Sequence, residues 1–346
     1  MSFEYKVDEV TGGEQKKVLG VVCLGVDRNG QHTLSHASGK TSLTADAQDI
    51  DKNSILTLAS CTKLLTSIAA LRLVQAGKLT LDDAVLIENH LPELCALEVF
   101  TSAPGAPLAT ARRTKPITLR TLLTHASGSG YDVLSPQLQG WRRSRGEECC
   151  AFTAGLPDAV LTPGLFEPGE GWAYGGGLDW VGLLVERVSG VGLGKFMRRE
   201  VFDVVGCDER AGFDRKLFEG EIVQIVTKYD GKLVPFPLPV VEQKSERGGG
   251  GVFMSSANFA RVLADFISPS PKLLNPDMLD ELFSPQLEEG SNPLEALRLA
   301  SPVFMSMTGA LTSGLNLEGI NHALGGLLVV GDTPGLGKSS GVVQGR

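Results

Sequence analysis

Long apolar runs are missing from this 346-residue chain: none approaches the roughly 20 residues that a membrane-spanning helix needs. A basic excess is missing too. With 32 Lys and Arg against 40 Asp and Glu the formal charge is −8, which leaves no positive field for nucleic acid. The first twenty residues, MSFEYKVDEVTGGEQKKVLG, carry acids early and no apolar core of leader length, so a cytoplasmic protein is expected. The six cysteines, at 23, 61, 95, 149, 150 and 207, have no zinc spacing and form no Cys/His cluster. Cys149 and Cys150 are adjacent, a poor geometry for bonding to each other, and reduced thiols are expected. There is neither a P-loop nor a G-x-G-x-x-G between a strand and a helix, so no cofactor is implied.

Glycine, by contrast, is plentiful at 42 residues. With 42% hydrophobic residues beside it, that abundance signals turns and close backbone approaches rather than disorder. The length suits one large domain or two intimate lobes.

The stretch 54–77, SILTLASCTKLLTSIAALRLVQAG, organises the chain. A β-compatible run ends at Ala59. Ser60 follows, Lys63 comes three residues later, and an apolar helical pattern continues through Leu64, Leu65, Ile68, Leu71 and Val74. If Ser60 opens that helix, Ser60 and Lys63 share one face a turn apart. That pairs a hydroxyl with an amine able to take its proton, at a helix N-terminus that favours developing negative charge. The four letters S-x-x-K also describe an N-cap serine with a solvated lysine. Cys61 points about 100° away around the helix and is not a candidate.

Around this centre, 18–27 and 31–39 read as a β-hairpin turned at Asn29-Gly30. His32 and His36 share one face of the second strand, with no third ligand near. Thr118 caps a short helix carrying Leu119, Leu122 and Leu123, and His125 is read as a structural group at its end. The turn Pro168-Gly169-Glu170-Gly171 presents Trp172 and Tyr174 ahead of an amphipathic helix. RGGGGVFMS (247–255) is a glycine-rich entry to a strand, weak evidence for phosphate binding. Helices are expected at 256–267 and after Asn275-Pro276, and strands at 303–312 and 321–331. Strands at both ends with helices between suggest one sheet built from the two termini.

Four of these segments, LASCTKLLTSIAALRLV, KPITLRTLLTHASGSGYD, EPGEGWAYGGGLDWVG and GGGGVFMSS, occur in this order and resemble the serine β-lactamase and penicillin-binding-protein family, a resemblance that runs from about residue 16 to about 338. More narrowly they resemble fungal lovastatin-type acyltransferases (transesterases) and related esterases of polyketide pathways. The resemblance implies an α+β fold of three α/β/α layers. A mostly antiparallel sheet from both termini (1–60 and 248–346) would be flanked by helices, with a mainly helical lobe (61–247) inserted. It implies that Ser60 is acylated, that Lys63 is the general base and that Tyr174 shuttles the proton. The same segments make Trp172, Gly175, Gly249 and Gly250 the candidate substrate-binding residues. The expected reaction moves an acyl group from a small thioester or ester, with an acyl-carrier domain as one donor, through Ser60 to an alcohol. Two alternatives stay open: an esterase or β-lactamase-like hydrolase, and a catalytically weak relative.

Two departures bear on this. Thr57 stands where transesterase-type members carry an Arg, so substrate identity is not carried over. The family pattern also continues into a Trp-Gly-Gly or Lys-Thr-Gly strand and beyond. Here Lys338-Ser339-Ser340-Gly341 is the candidate for that strand and the sequence ends at Arg346, so missing C-terminal strands are expected.

Overall fold

The computed structural model describes residues 2–13, 16–102, 105–236, 244–308, 319–330 and 342–344. Its helices are α1 (Phe3–Thr11), α2 (Thr62–Gln75), α3 (Ala84–His90), α4 (Pro92–Cys95), α5 (Leu119–Leu123), α6 (Pro136–Ser144), α7 (Gly177–Ser189), α8 (Leu193–Met197), α9 (Ser256–Phe266), α10 (Pro276–Phe283) and α11 (Asn292–Thr308). Its strands are β1 (Gly20–Val26), β2 (His32–Gly39), β3 (Ile55–Thr57), β4 (Glu98–Phe100), β5 (Thr110–Arg112), β6 (Ala211–Gly212), β7 (Val226–Tyr229), β8 (Lys232–Pro235), β9 (Phe253–Ser255), β10 (Ile320–Ala323), β11 (Gly326–Val329) and β12 (Val342–Gln344). The chain divides into two compact units. One holds Met1–Ala59, Met197–Gln243 and Gly251–Leu273; the other holds Ser60–Phe196, Lys244–Gly250 and Leu274–Arg346. The bounds differ from the expected lobes: 197–243 groups with the N-terminal segment, and 274–346 groups with the segment that begins at Ser60.

In the first unit β1 and β2 form the expected antiparallel hairpin, in register from Gly20↔Gly39 and bulged at Gly25/Val26. The Asp27 carboxylate closes its turn by accepting from the Asn29 and Gln31 N–H groups at 2.8 and 2.9 Å. His36 meets Asp8 of α1 at 2.9 Å, so it is a satisfied surface group. A second sheet runs β3-β9-β6, all antiparallel. Ser255 ends β9 and caps α9 by accepting from the Asn258 N–H at 3.1 Å.

The second unit is built around α2. Eleven of its residues are buried, from Thr62 to Leu73, on every side of the helix. A helix buried all round belongs in a core, and α2 packs against α7. Thr118 caps α5 through a capping box with Thr121. Asn275 and Pro276 start α10 as their chemistry dictates. β10, β11 and β12 form one antiparallel sheet, with Leu328 opposite Val343. Among the described residues the N-terminal hairpin and these C-terminal strands thus belong to separate sheets. The strand expected at 303–312 is not formed over its described part: α11 continues to Thr308. A short apolar run has no period that separates a strand from a buried helix, and here the helix started at Asn292 carries on. No helix among the described residues is long and apolar enough to cross a membrane.

Candidate active site

Every candidate catalytic group lies in the second unit. Ser60 sits in the 3₁₀ turn Ala59–Cys61 that leads into α2, two residues ahead of the helix rather than in its first turn. Ala59 just before it takes φ 44°, a left-handed conformation that costs a non-glycine residue about 1 kcal/mol and that clusters at functional sites. Ser60 is half-buried, whereas Lys63 is only 4% exposed. Lys63 Nζ lies 3.3 Å from Ser60 Oγ and donates to the Gly249 carbonyl at 2.7 Å. The Tyr174 ring centroid is 4.5 Å from the same nitrogen, and that of Tyr131 is 5.7 Å away. Ser60, Lys63 and Tyr174, separated by 114 residues at the extremes of sequence, therefore converge on one amine.

His125 orders the loop that brings Tyr174 in. Its backbone carbonyl accepts the Ala173 N–H at 3.0 Å, and its ring Nδ1 accepts the Gly175 N–H at 3.3 Å. The residues on either side of Tyr174 are thus tied to one histidine, whose ring stacks at a tilt on Tyr174 with 4.7 Å between centroids. His125 takes φ 62°, a conformation histidine adopts more readily than most side chains. The accepting Nδ1 assigns the proton to Nε2. Burial, with His322 and Lys63 adding to it, holds this imidazole well below its usual range, so it is neutral. His322 packs edge-on against it at 5.6 Å and donates Nδ1–H to the Ala323 carbonyl at 2.6 Å. Burial lowers its pKa to about 4.

These two histidines make a stability prediction. Each prefers the neutral form when folded, so the unfolded chain binds more protons between the ordinary value of 6.5 and the folded one. The stabilisation is complete above about pH 6.5 and is lost as the pH falls, in the case of His322 toward 4. For His322 the loss reaches about 3 kcal/mol, and thermal unfolding at stepped pH should show its slope flattened in His322→Gln.

The other candidates fall as follows. Trp172 is buried at 8% within a cluster with Ala126, Leu287, Leu294, Leu297 and Ile320, and Tyr174 packs against that cluster. Gly175 is a close approach, since a Cβ there would strike the Ser129 carbonyl. Gly249 and Gly250 belong to the glycine run, and Gly249 meets Lys63 directly. The run brings backbone carbonyls onto α2, where Thr66 donates to Gly248 at 2.7 Å one turn beyond Lys63. Lys338-Ser339-Ser340-Gly341 lies outside the described residues, immediately before β12. Three groups at the site have no sequence period to betray them: Tyr131, Asp179 and Arg247. The one available signal was a lone acid in the first turn of an otherwise apolar helix, LDWVGLLV. No cluster of His, Cys, Asp and Glu suited to a metal occurs among the described residues.

Comparison with known proteins bears on what this site does. The Beta-lactamase family model matches residues 8–310. An acyltransferase of Penicillium decumbens, calJ, is 30% identical over 99% of this chain and 86% of its own length. A lovastatin esterase of Penicillium rubens is 32% identical over 92% of this chain and 81% of its own. Among solved structures, a mutant simvastatin synthase of Aspergillus terreus superposes with a TM-score of 0.81 at 25% identity, covering 98% of this chain and 81% of that one. The expected architecture of helices and antiparallel sheets is therefore present.

Proposed function

The chain belongs to the β-lactamase family and is a serine-dependent enzyme of acyl transfer, and we propose that it is a transferase of secondary-metabolite biosynthesis working through an ester on Ser60. The observation that carries this reading is the convergence of Ser60 Oγ, 3.3 Å from Lys63 Nζ, with the Tyr174 ring 4.5 Å from that nitrogen. Ser60 Oγ attacks the acyl carbonyl and its proton passes to Lys63 Nζ. The tetrahedral oxyanion forms at the mouth of α2, where the helix dipole and the Ser60 N–H favour it. Collapse breaks the bond to the leaving thiol or alcohol, which takes its proton from Lys63 by way of the Tyr174 phenol. An acceptor alcohol then enters, gives its proton to the same pair and attacks the ester. Ser60 leaves and regains a proton. In this reading Trp172, Gly175, Gly249 and Gly250 form the walls of the site, small-molecule thioesters or an acyl-carrier domain supply the donor, and the protein works in the cytoplasm.

Hydrolysis is the second reading, favoured by the lovastatin esterase relative. It uses the same acyl-enzyme, with water in place of the alcohol. Supplying an activated acyl thioester with and without a polyketide alcohol and measuring both products separates them: a transferase gives ester in excess of free acid when the alcohol is present. Free acid alone, at an unchanged rate, would establish the hydrolase. Tyr174→Phe keeps the ring against His125 and Lys63 and removes the relay. It should lower kcat by about 10²-fold with little change in KM.

A further inference from the structure

The catalytic sequence above leaves one costly group unexplained. Asp179, in the first turn of α7, has no exposed surface at all. A carboxylate is expensive to bury unless it is paired and hydrogen-bonded. Here three donors satisfy it: the Gly249 N–H on Oδ1 at 3.0 Å, the Tyr131 hydroxyl on Oδ2 at 2.6 Å and Arg247 Nη2 on Oδ2 at 3.2 Å. Burial, then the Asp179 charge, pushes the Tyr131 phenol well above its usual range, so it stays a donor. Arg247 is anchored at its other nitrogen on the Ala151 carbonyl.

Gly249 links this cluster to the chemistry. The peptide between Gly248 and Gly249 is held at both ends, its oxygen by Thr66 at 2.7 Å and its N–H by Asp179. That fixes the Gly249 Cα, and the next carbonyl, that of Gly249, receives the Lys63 amine at 2.7 Å. The close approach demands glycine: a Cβ on Gly249 would strike the Tyr131 hydroxyl and come within 2.8 Å of Asp179 Oδ2. Glycine is also the residue least able to hold its own orientation, so something else must hold it.

We propose that Asp179 is a positioning residue for acyl transfer: held by Tyr131 and Arg247, it locks the Gly249 backbone so that the Gly249 carbonyl aims the Lys63 amine at Ser60. The inference rests on the reading of Lys63 as the base. Anchored on the Gly249 carbonyl at 2.7 Å, the amine faces Ser60 Oγ at 3.3 Å, and a tilted carbonyl would turn it away.

The test compares wild type, Asp179→Asn and Tyr131→Phe, each checked by thermal unfolding, with p-nitrophenyl acetate as acyl donor. Asp179→Asn should lower kcat by about a hundredfold, as expected for misplacing a reacting group by an ångström, with KM within about twofold. Tyr131→Phe removes one hydrogen bond of the three and should lower kcat roughly threefold to tenfold. In a Lys63→Met background neither change should slow the residual acylation further, because the effect passes through the amine. Full activity in folded Asp179→Asn, or equal slowing in both backgrounds, would overturn the proposal. Should Asp179→Asn not fold, Tyr131→Phe in the two backgrounds decides alone. A wild type that acylates Ser60 while the variants fail these comparisons removes the positioning role and leaves acyl transfer standing. A wild type that forms no adduct removes both.

Discussion

Ser60→Ala should abolish turnover of activated esters and thioesters, by on the order of 10⁴-fold or more, while leaving the unfolding midpoint within a degree or two of wild type. Both halves follow from the geometry. The hydroxyl is the group within reach of Lys63 Nζ, at 3.3 Å, and alanine in its place leaves no oxygen to carry the acyl group. The side chain is half-buried in a 3₁₀ turn, and the loss of one hydroxyl there removes little packing. Steady-state release of p-nitrophenol measures the effect. Retention of even a tenth of the wild-type rate would place the nucleophile at another residue.

The second large effect is that of Lys63. Removing a general base costs about 10²–10⁴-fold in rate, and Lys63→Met should show that loss in the acylation step. Methionine is the informative replacement, since Lys63 is 4% exposed and alanine would add a cavity to the loss of the amine. Lys63→Arg should not rescue activity. A guanidinium reaches toward the Gly249 carbonyl but gives up no proton in a protein, so it cannot act as a base. Pre-steady-state acylation rates for both variants check this; an Arg variant as fast as wild type would mean that Lys63 serves by its charge alone.

How much of this could be read from the letters depended on range. Where chemistry is local, the sequence speaks. Asn29-Gly30 between alternating strands set the β1–β2 hairpin, Thr118 and Thr121 made the capping box, and Ser60 and Lys63 stand a turn apart at the start of a helix. Tyr174 was named through the resemblance of EPGEGWAYGGGLDWVG to a family, since its turn, three glycines and helix alone fit a core tyrosine equally well. Where partners are distant, the sequence is silent. Asp179 meets Tyr131 48 positions away and Arg247 68 positions away, and no periodicity links them. The glycine run before β9 was legible as an entry to a strand, yet what it approaches, Thr66 and Lys63 on α2, was not. His125 was read as a structural group at a helix end, and its hold on the loop around Tyr174 required the fold.

The central claim is that the acyl group rests on the Ser60 oxygen. Wild-type protein mixed with an acyl thioester, quenched in acid within a turnover and weighed intact, should gain the mass of one acyl group, which peptide mapping then locates on the segment bearing Ser60. Folded protein that consumes the thioester yet gains no mass, or carries the acyl group on another residue, would contradict it.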